Sequence, residues 1–106
     1  MFRRSILSAV AAAAAVVCVE AASHSVSQKG KAFAPVSVNV KVGDTLTFRN
    51  DDDVTHNAFS TSKGNEFNSK VQLPGGTSSV TFKEAGTVEV RCAFHPKMKL
   101  TVVVAK

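Results

Sequence analysis

The sequence predicts an all-β fold, a Greek-key sandwich or barrel, and three observations carry that expectation. Apolar residues recur with a period of two at Val36, Val38, Val40 and Val42, at Leu46 and Phe48, at Val80 and Phe82, at Val88, Val90 and Cys92, and at Leu100, Val102 and Val104. Clusters of Gly, Pro and Asp break these runs at spacings of roughly ten residues, the rhythm of short strands joined by tight turns. No window shows a convincing amphipathic helix, and no internal repeat is present.

The first 21 residues stand apart from that pattern. Met1-Phe2-Arg3-Arg4 is a short positive stretch, and Ile6 to Val19 is an uncharged run of 14 residues rich in Ala and Val. That is the layout of a secretory signal. A spanning helix needs about 20 apolar residues, so the run is short for an anchor and no stable membrane insertion is expected. Val19 and Ala21 are spaced as a cleavage site before Ala22, with a cut after Ser23 as the second option. Arg3-Arg4-Ser5-Ile6-Leu7 bears a weak likeness to a twin-arginine export signal. Cys18 follows Val17, which is bulkier than the small residue that lipoprotein processing uses, so Cys18 is read as discarded with the signal.

Cleavage after Ala21 leaves residues 22–106, 85 of the 106. This is one small domain with a thin core and no internal linker. Removing Arg3, Arg4 and Glu20 takes the 13 basic and 8 acidic residues to 11 and 7, a net charge of +4. That moderately basic surface suits an acidic partner. Export and the lack of a long Lys/Arg block argue against nucleic acid. Cys92 is then the one cysteine left in an oxidising compartment. It is an inert buried thiol, a reactive thiol or a metal ligand, and a bound metal would add stability that a thin core lacks.

In chain order, Ala22 to Lys31 reads as a flexible lead-in or short edge strand. Val36 to Val42 is a strand with one buried face, Gly43-Asp44 a turn, and Leu46 and Phe48 belong to a second strand ending near Asn50. Asp51-Asp52-Asp53 is a sharp, solvated acidic turn. Val54 to Ser60 is a third strand carrying His56, and Thr61 to Asn65 a loop. Phe67 to Leu73 is ambiguous, and Pro74-Gly75-Gly76 is punctuation. Val80 and Phe82 mark another strand, Glu84-Ala85-Gly86 a turn, and Val88, Val90 and Cys92 share one parity, which points Cys92 inward. Leu100, Val102 and Val104 form the last strand.

The chemistry is concentrated between those last two strands. Cys92, His95 and Met98 follow one another at intervals of three residues. Alone, Cys92 or Met98 reads as core filler; together they offer three soft or borderline ligands in seven residues. Electron-transfer copper sites of the blue type use two His nitrogens and a Cys thiolate in a trigonal plane with a weak axial Met. His56 is the candidate for the fourth ligand, delivered from the neighbouring part of the other sheet. A loop through Pro96 would turn the backbone so that His95 and Met98 converge with Cys92.

Cys92-Ala93-Phe94-His95-Pro96-Lys97-Met98 resembles the C-x-x-H-x-x-M loop of the amicyanin-type cupredoxins. His56-Asn57 is similar to the upstream His-Asn pair of the plastocyanin and amicyanin cupredoxins, and Val42-Gly43-Asp44-Thr45-Leu46-Thr47-Phe48 to a segment common among them. The likeness runs from about Lys31 to Lys106. It implies one type 1 copper ion per chain, bound by His56, Cys92, His95 and Met98. It also implies that Asn57 pins the ligand loop with its side chain and points its backbone N–H at the Cys92 sulfur, a contact that tunes potential. Phe94 and Pro96 would frame the edge of His95 as an apolar electron-exit patch. The chain departs from the family in a short region after residue 60 and in having no Tyr or Trp.

The expected function is that of a periplasmic, monomeric blue copper electron carrier that takes electrons from a dehydrogenase and passes them to a cytochrome. No substrate is transformed, so the chain is read as a non-enzyme. A copper storage, delivery or resistance module is the alternative, although no Met-rich or His-rich tract supports it. A hydrolase built on Cys92 and a histidine is disfavoured by the inward cysteine and the lack of a Gly-rich oxyanion-hole motif. Lys97 and Lys99 flank the loop and would attract an acidic partner. His24 would be an amino-terminal ligand only if the cut fell after Ser23, and is otherwise a disordered tail residue.

Overall fold

The structure, a computed structural model, describes residues 20–106. The signal reading of residues 1–19, Cys18 included, lies outside the described residues. The described chain contains nine strands, β1 Ser23–Gln28, β2 Phe33–Ala34, β3 Ser37–Lys41, β4 Thr45–Asn50, β5 Phe59–Ser60, β6 Phe67–Asn68, β7 Thr77–Thr81, β8 Gly86–Arg91 and β9 Lys99–Ala105. They form two sheets, ordered β2-β1-β4-β7 and β3-β9-β8-β5-β6. The chain passes repeatedly from one sheet to the other, and two of the resulting neighbours, β1·β4 and β3·β9, run parallel. Among the described residues no helix is long and apolar enough to cross a membrane.

Period-two side chains build the core, since alternate residues of a strand face one side of its sheet. Val26, Phe33, Leu46, Phe48 and Phe82 from the first sheet and its flanks meet Val40, Val88, Val90, Leu100, Val102 and Val104 from the second, all buried. Phe48 is the hinge of this packing. Its ring meets Phe33 edge-on at 6.1 Å and stacks on Phe67 of the facing sheet at 5.9 Å.

Several expectations change. Of the two readings of Ala22 to Lys31 the strand is the one observed, over Ser23–Gln28: its rungs with β4 are continuous from Ser23↔Thr45 to Gln28↔Asn50 and Val26 enters the core. Of the four valines in the strand predicted over Val36 to Val42, only Val40 is buried deeply. Val36 and Val42 flank the five-residue β3 and are 65% and 41% exposed. Gly43 takes a left-handed φ of 96° in the turn that closes with Asp44 N donating to Lys41 O, a conformation that suits glycine. The predicted strand from Val54 to Ser60 shrinks to Phe59–Ser60.

His24 is ordered, not a tail residue. Its Nε2 lies 2.9 Å from Asp44 Oδ2, while Ala22 N donates to Asp44 Oδ1 at 2.9 Å and Lys41 N to Oδ2 at 2.9 Å. The Ala22 N–H first, then His24 and the Lys41 N–H, lower the Asp44 carboxyl from 3.8 to about 2. A carboxyl depressed in the folded state contributes stability above its unfolded value, and that contribution is lost as pH falls through the folded value. Acid titration followed by circular dichroism should therefore show stability falling between pH 3.8 and about 2. Asp44→Asn should be less stable at neutral pH and flatter across that window.

Candidate metal centre

Cys92 follows β8 directly and keeps the inward parity of Val88 and Val90, so its side chain is buried, 2% exposed. His56 arrives differently from the expected strand. It lies on the connection between β4 of one sheet and β5 of the other, fixed by a single antiparallel bridge to Gln72, with His56 N donating to Gln72 O at 3.1 Å and Gln72 N to His56 O at 2.8 Å. A buried amide network supports that bridge. Gln72 Nε2 donates to Phe48 O, and Asn50 Nδ2 donates to Val54 O and Gln72 O. Gln28 Nε2 donates to Asn57 O and Gln72 Oε1.

This frame brings His56 and Cys92 together. Cys92 Sγ stands 3.8 Å from His56 Nδ1, and Asn57 N–H points at the same sulfur at 3.5 Å. Asn57 Oδ1 accepts from Ala93 N at 2.7 Å, which fastens the start of the ligand loop to the His56 segment. The His95 ring lies against that of His56, with centroids 4.8 Å apart at 62°. Met98 is buried in the same cluster as Cys92, and its N–H donates to His95 O at 2.9 Å, closing the turn through Pro96. Among the described residues no three or more His, Cys, Asp or Glu are drawn into a closed cation cage.

The ring protons follow from the partners. His95 Nε2 lies 3.3 Å from Thr55 O, a group that can only accept, so Nε2 carries the proton and Nδ1 is left as a donor atom for a metal. His56 Nε2 lies 2.9 Å from Asp52 Oδ2, and a carboxylate likewise takes the Nε2 proton and leaves the Nδ1 lone pair facing Cys92. Two imidazole Nδ1 atoms, one thiol and one thioether fit copper by softness and number.

Asp52 is the residue that sequence reasoning passed over. In place of a merely solvated turn, its carboxylate accepts from His56 and from Lys31 N at 2.9 Å, and the His56 contact first, then the Lys31 N–H, hold it well below the usual carboxylate range. The signal was its place four residues before His56 in an acidic turn. At the surface, His95 is half-buried while Phe94 is 49% exposed and Pro96 is exposed. Lys31, Pro96 and Lys97 line a shallow concavity over the His95 edge.

A two-sheet β-sandwich with Cys, Met and two His residues at one end defines a cupredoxin, a copper-binding fold. The chain belongs to the copper binding proteins of the plastocyanin/azurin family, which it matches over residues 19–105. It is 33% identical over 85 residues to the methylamine utilization protein MauL of Methylophilus methylotrophus, covering 77% of this chain and 49% of that protein. To MauL of Methylorubrum extorquens it is 35% identical over 69 residues, covering 64% and 60%. The chain thus spans only about half to three-fifths of the length of these relatives. Among solved structures, a reduced amicyanin variant superposes with a TM-score of 0.70 at 30% identity, covering 76% of this chain and 79% of that one.

Proposed function

We propose that this chain is a periplasmic type 1 copper protein that carries single electrons between redox proteins, with His56, Cys92, His95 and Met98 as the ligands. The contact of His56 Nδ1 with Cys92 Sγ carries this reading, because it sets a nitrogen and a sulfur side by side with the ring proton of His56 turned away toward Asp52. Copper bound there would supply a one-electron Cu(II)/Cu(I) couple. The chain's own residues do the rest. Burial of His56 and Cys92 keeps water from the sulfur, and the Asn57 N–H stabilises negative charge on it. The bridge to Gln72 and the bond from Ala93 N to Asn57 Oδ1 hold two segments rigid, so little rearrangement accompanies a change of charge. Storage or delivery would call for accessible ligands, whereas His56, Cys92 and Met98 are all buried.

The secretory pattern of residues 1–21 supports a periplasmic location. The relatives named for methylamine utilization support a dehydrogenase of small amines as the donor, and the acceptor we assign is a cytochrome. The protein works as a monomer and transforms no substrate. Electrons leave through the exposed edge of His95 within the patch of Phe94 and Pro96.

The purified chain with Cu(II) is expected to turn intensely blue and to cycle reversibly by one electron in voltammetry. A colourless complex would rule the reading out. Lys31 and Lys97 beside the exit should guide an acidic partner. Reversing both to Glu is expected to slow association with an acidic redox partner by about tenfold or more at low salt and much less at high salt. Stopped-flow rates against ionic strength give the comparison, and an unchanged salt slope would remove the lysines from recognition.

A further inference from the structure

His24 has no part in the centre at Cys92, yet it is placed with care. Its Nε2 and the nitrogen of Ala22 stand on the two oxygens of one carboxylate, Asp44, each at 2.9 Å. The ring nitrogen left free is therefore Nδ1. Ala22 immediately precedes β1 and His24 is its second residue, and β1 is covered on its outer side only at Ser27 and Gln28, where β2 pairs with it. The first residues of β1 form an open edge beside a surface hollow lined by Asn39, Lys41 and Ala105. This end of the sandwich holds the start of β4 and the end of β9, whereas Cys92 and His56 lie beyond the opposite ends of the neighbouring strands.

We propose that the chain, once cut before Ala22, carries a second metal site at its new amino terminus. There the α-amine of Ala22, the backbone nitrogens of Ser23 and His24, and Nδ1 of His24 bind one Cu(II) or Ni(II) ion in a square plane. The inference rests on the export reading above. Processing turns the Ala22 amide into a free amine and makes His24 the third residue, the one spacing at which amine, two peptide nitrogens and Nδ1 close fused chelate rings on a single ion. Planar nitrogen sets of this kind select Cu(II) and Ni(II).

One proton leaves the ammonium group and one leaves each peptide nitrogen, all to solvent, and the two amide anions neutralise the dication. Uptake therefore strengthens as pH rises. Binding draws the amine off Asp44 and opens the start of the β1·β4 ladder, the rungs Ser23↔Thr45 and His24↔Leu46 together with the bond from Thr45 N to Ala22 O at 3.0 Å. His24 Nε2–H goes on donating to Asp44, which orients the ring as a carboxylate orients other metal-bound histidines.

The test has two parts. Mass spectrometry of the exported protein reads its first residue, and Ni(II) is titrated into the copper-loaded chain of residues 22–106. The expected result is a start at Ala22 and uptake of one equivalent of Ni(II), with a yellow square-planar absorption and no change in the blue band of the Cys92 centre. That uptake should be lost in His24→Ala and in a chain that retains Ala21. Failure to bind Ni(II), or equal uptake after His24→Ala, overturns the site. A natural start at any residue other than Ala22 also overturns it, and leaves the Cys92 centre untouched because the blue band does not depend on the first residue. Normal Ni(II) uptake by a chain that never turns blue would support the site while refuting the electron-carrier reading.

Discussion

Cys92→Ser in the copper-loaded chain is expected to abolish the blue absorption and the reversible one-electron couple together. The colour of such a site comes from charge transfer out of a thiolate, and a serine hydroxyl stays protonated near neutral pH and is a hard donor where copper prefers a soft one. The substitution is close to isosteric. Cys92 is a buried member of the hydrophobic core, and a serine oxygen in its place could still accept from the Asn57 N–H that now points at the sulfur. Far-ultraviolet circular dichroism should thus stay native while the visible spectrum is lost. Retention of the blue band in this variant would mean that the colour arises elsewhere.

Asp52→Ala is expected to weaken copper binding by about 10–100-fold, the range found when the hydrogen-bond partner of a ligand histidine is removed. Asp52 Oδ2 accepts the Nε2 proton of His56 and the Lys31 N–H, so it fixes both the tautomer that frees Nδ1 and the loop beside the ligand ring. Asp52→Asn, whose side-chain oxygen can still accept from Nε2, should recover much of the affinity. Titration against a calibrated copper chelator measures all three proteins. Equal affinity for Asp52→Ala and the native chain would show that the Gln72 bridge alone orients His56.

The parts of the fold and site that follow local rules were legible in the sequence. Cys92 could be placed because strand parity fixes a side chain relative to its neighbours, and Val88 and Val90 are indeed buried with it. His95 and Met98 sit in the short loop before β9, where spacing along the chain limits where they can go. The segment around His56 was misread because what holds it is not local. Its partner Gln72 is sixteen positions away, and the amides of Gln28 and Asn50 that brace the bridge come from two other strands. The strand predicted over Val54 to Ser60 is interrupted by that amide network and survives only as Phe59–Ser60. Asp52 and His24 were undervalued for the same reason, since an acidic turn and a polar first strand gain their roles only when Lys31 and Asp44 are brought beside them. Val36 and Val42 show the opposite error, in which a clean period of two ran past the ends of the strand it described.

The central claim is that His56, Cys92, His95 and Met98 bind one copper ion at the His95 end of the sandwich. Anomalous diffraction at the copper edge from crystals of the blue protein tests it most directly. Expected is a single strong peak within bonding distance of Cys92 Sγ and of Nδ1 of both His56 and His95, with Met98 sulfur as a longer fourth contact. A peak bonded through Nε2 of either ring, or one that leaves Cys92 uncoordinated, would contradict it.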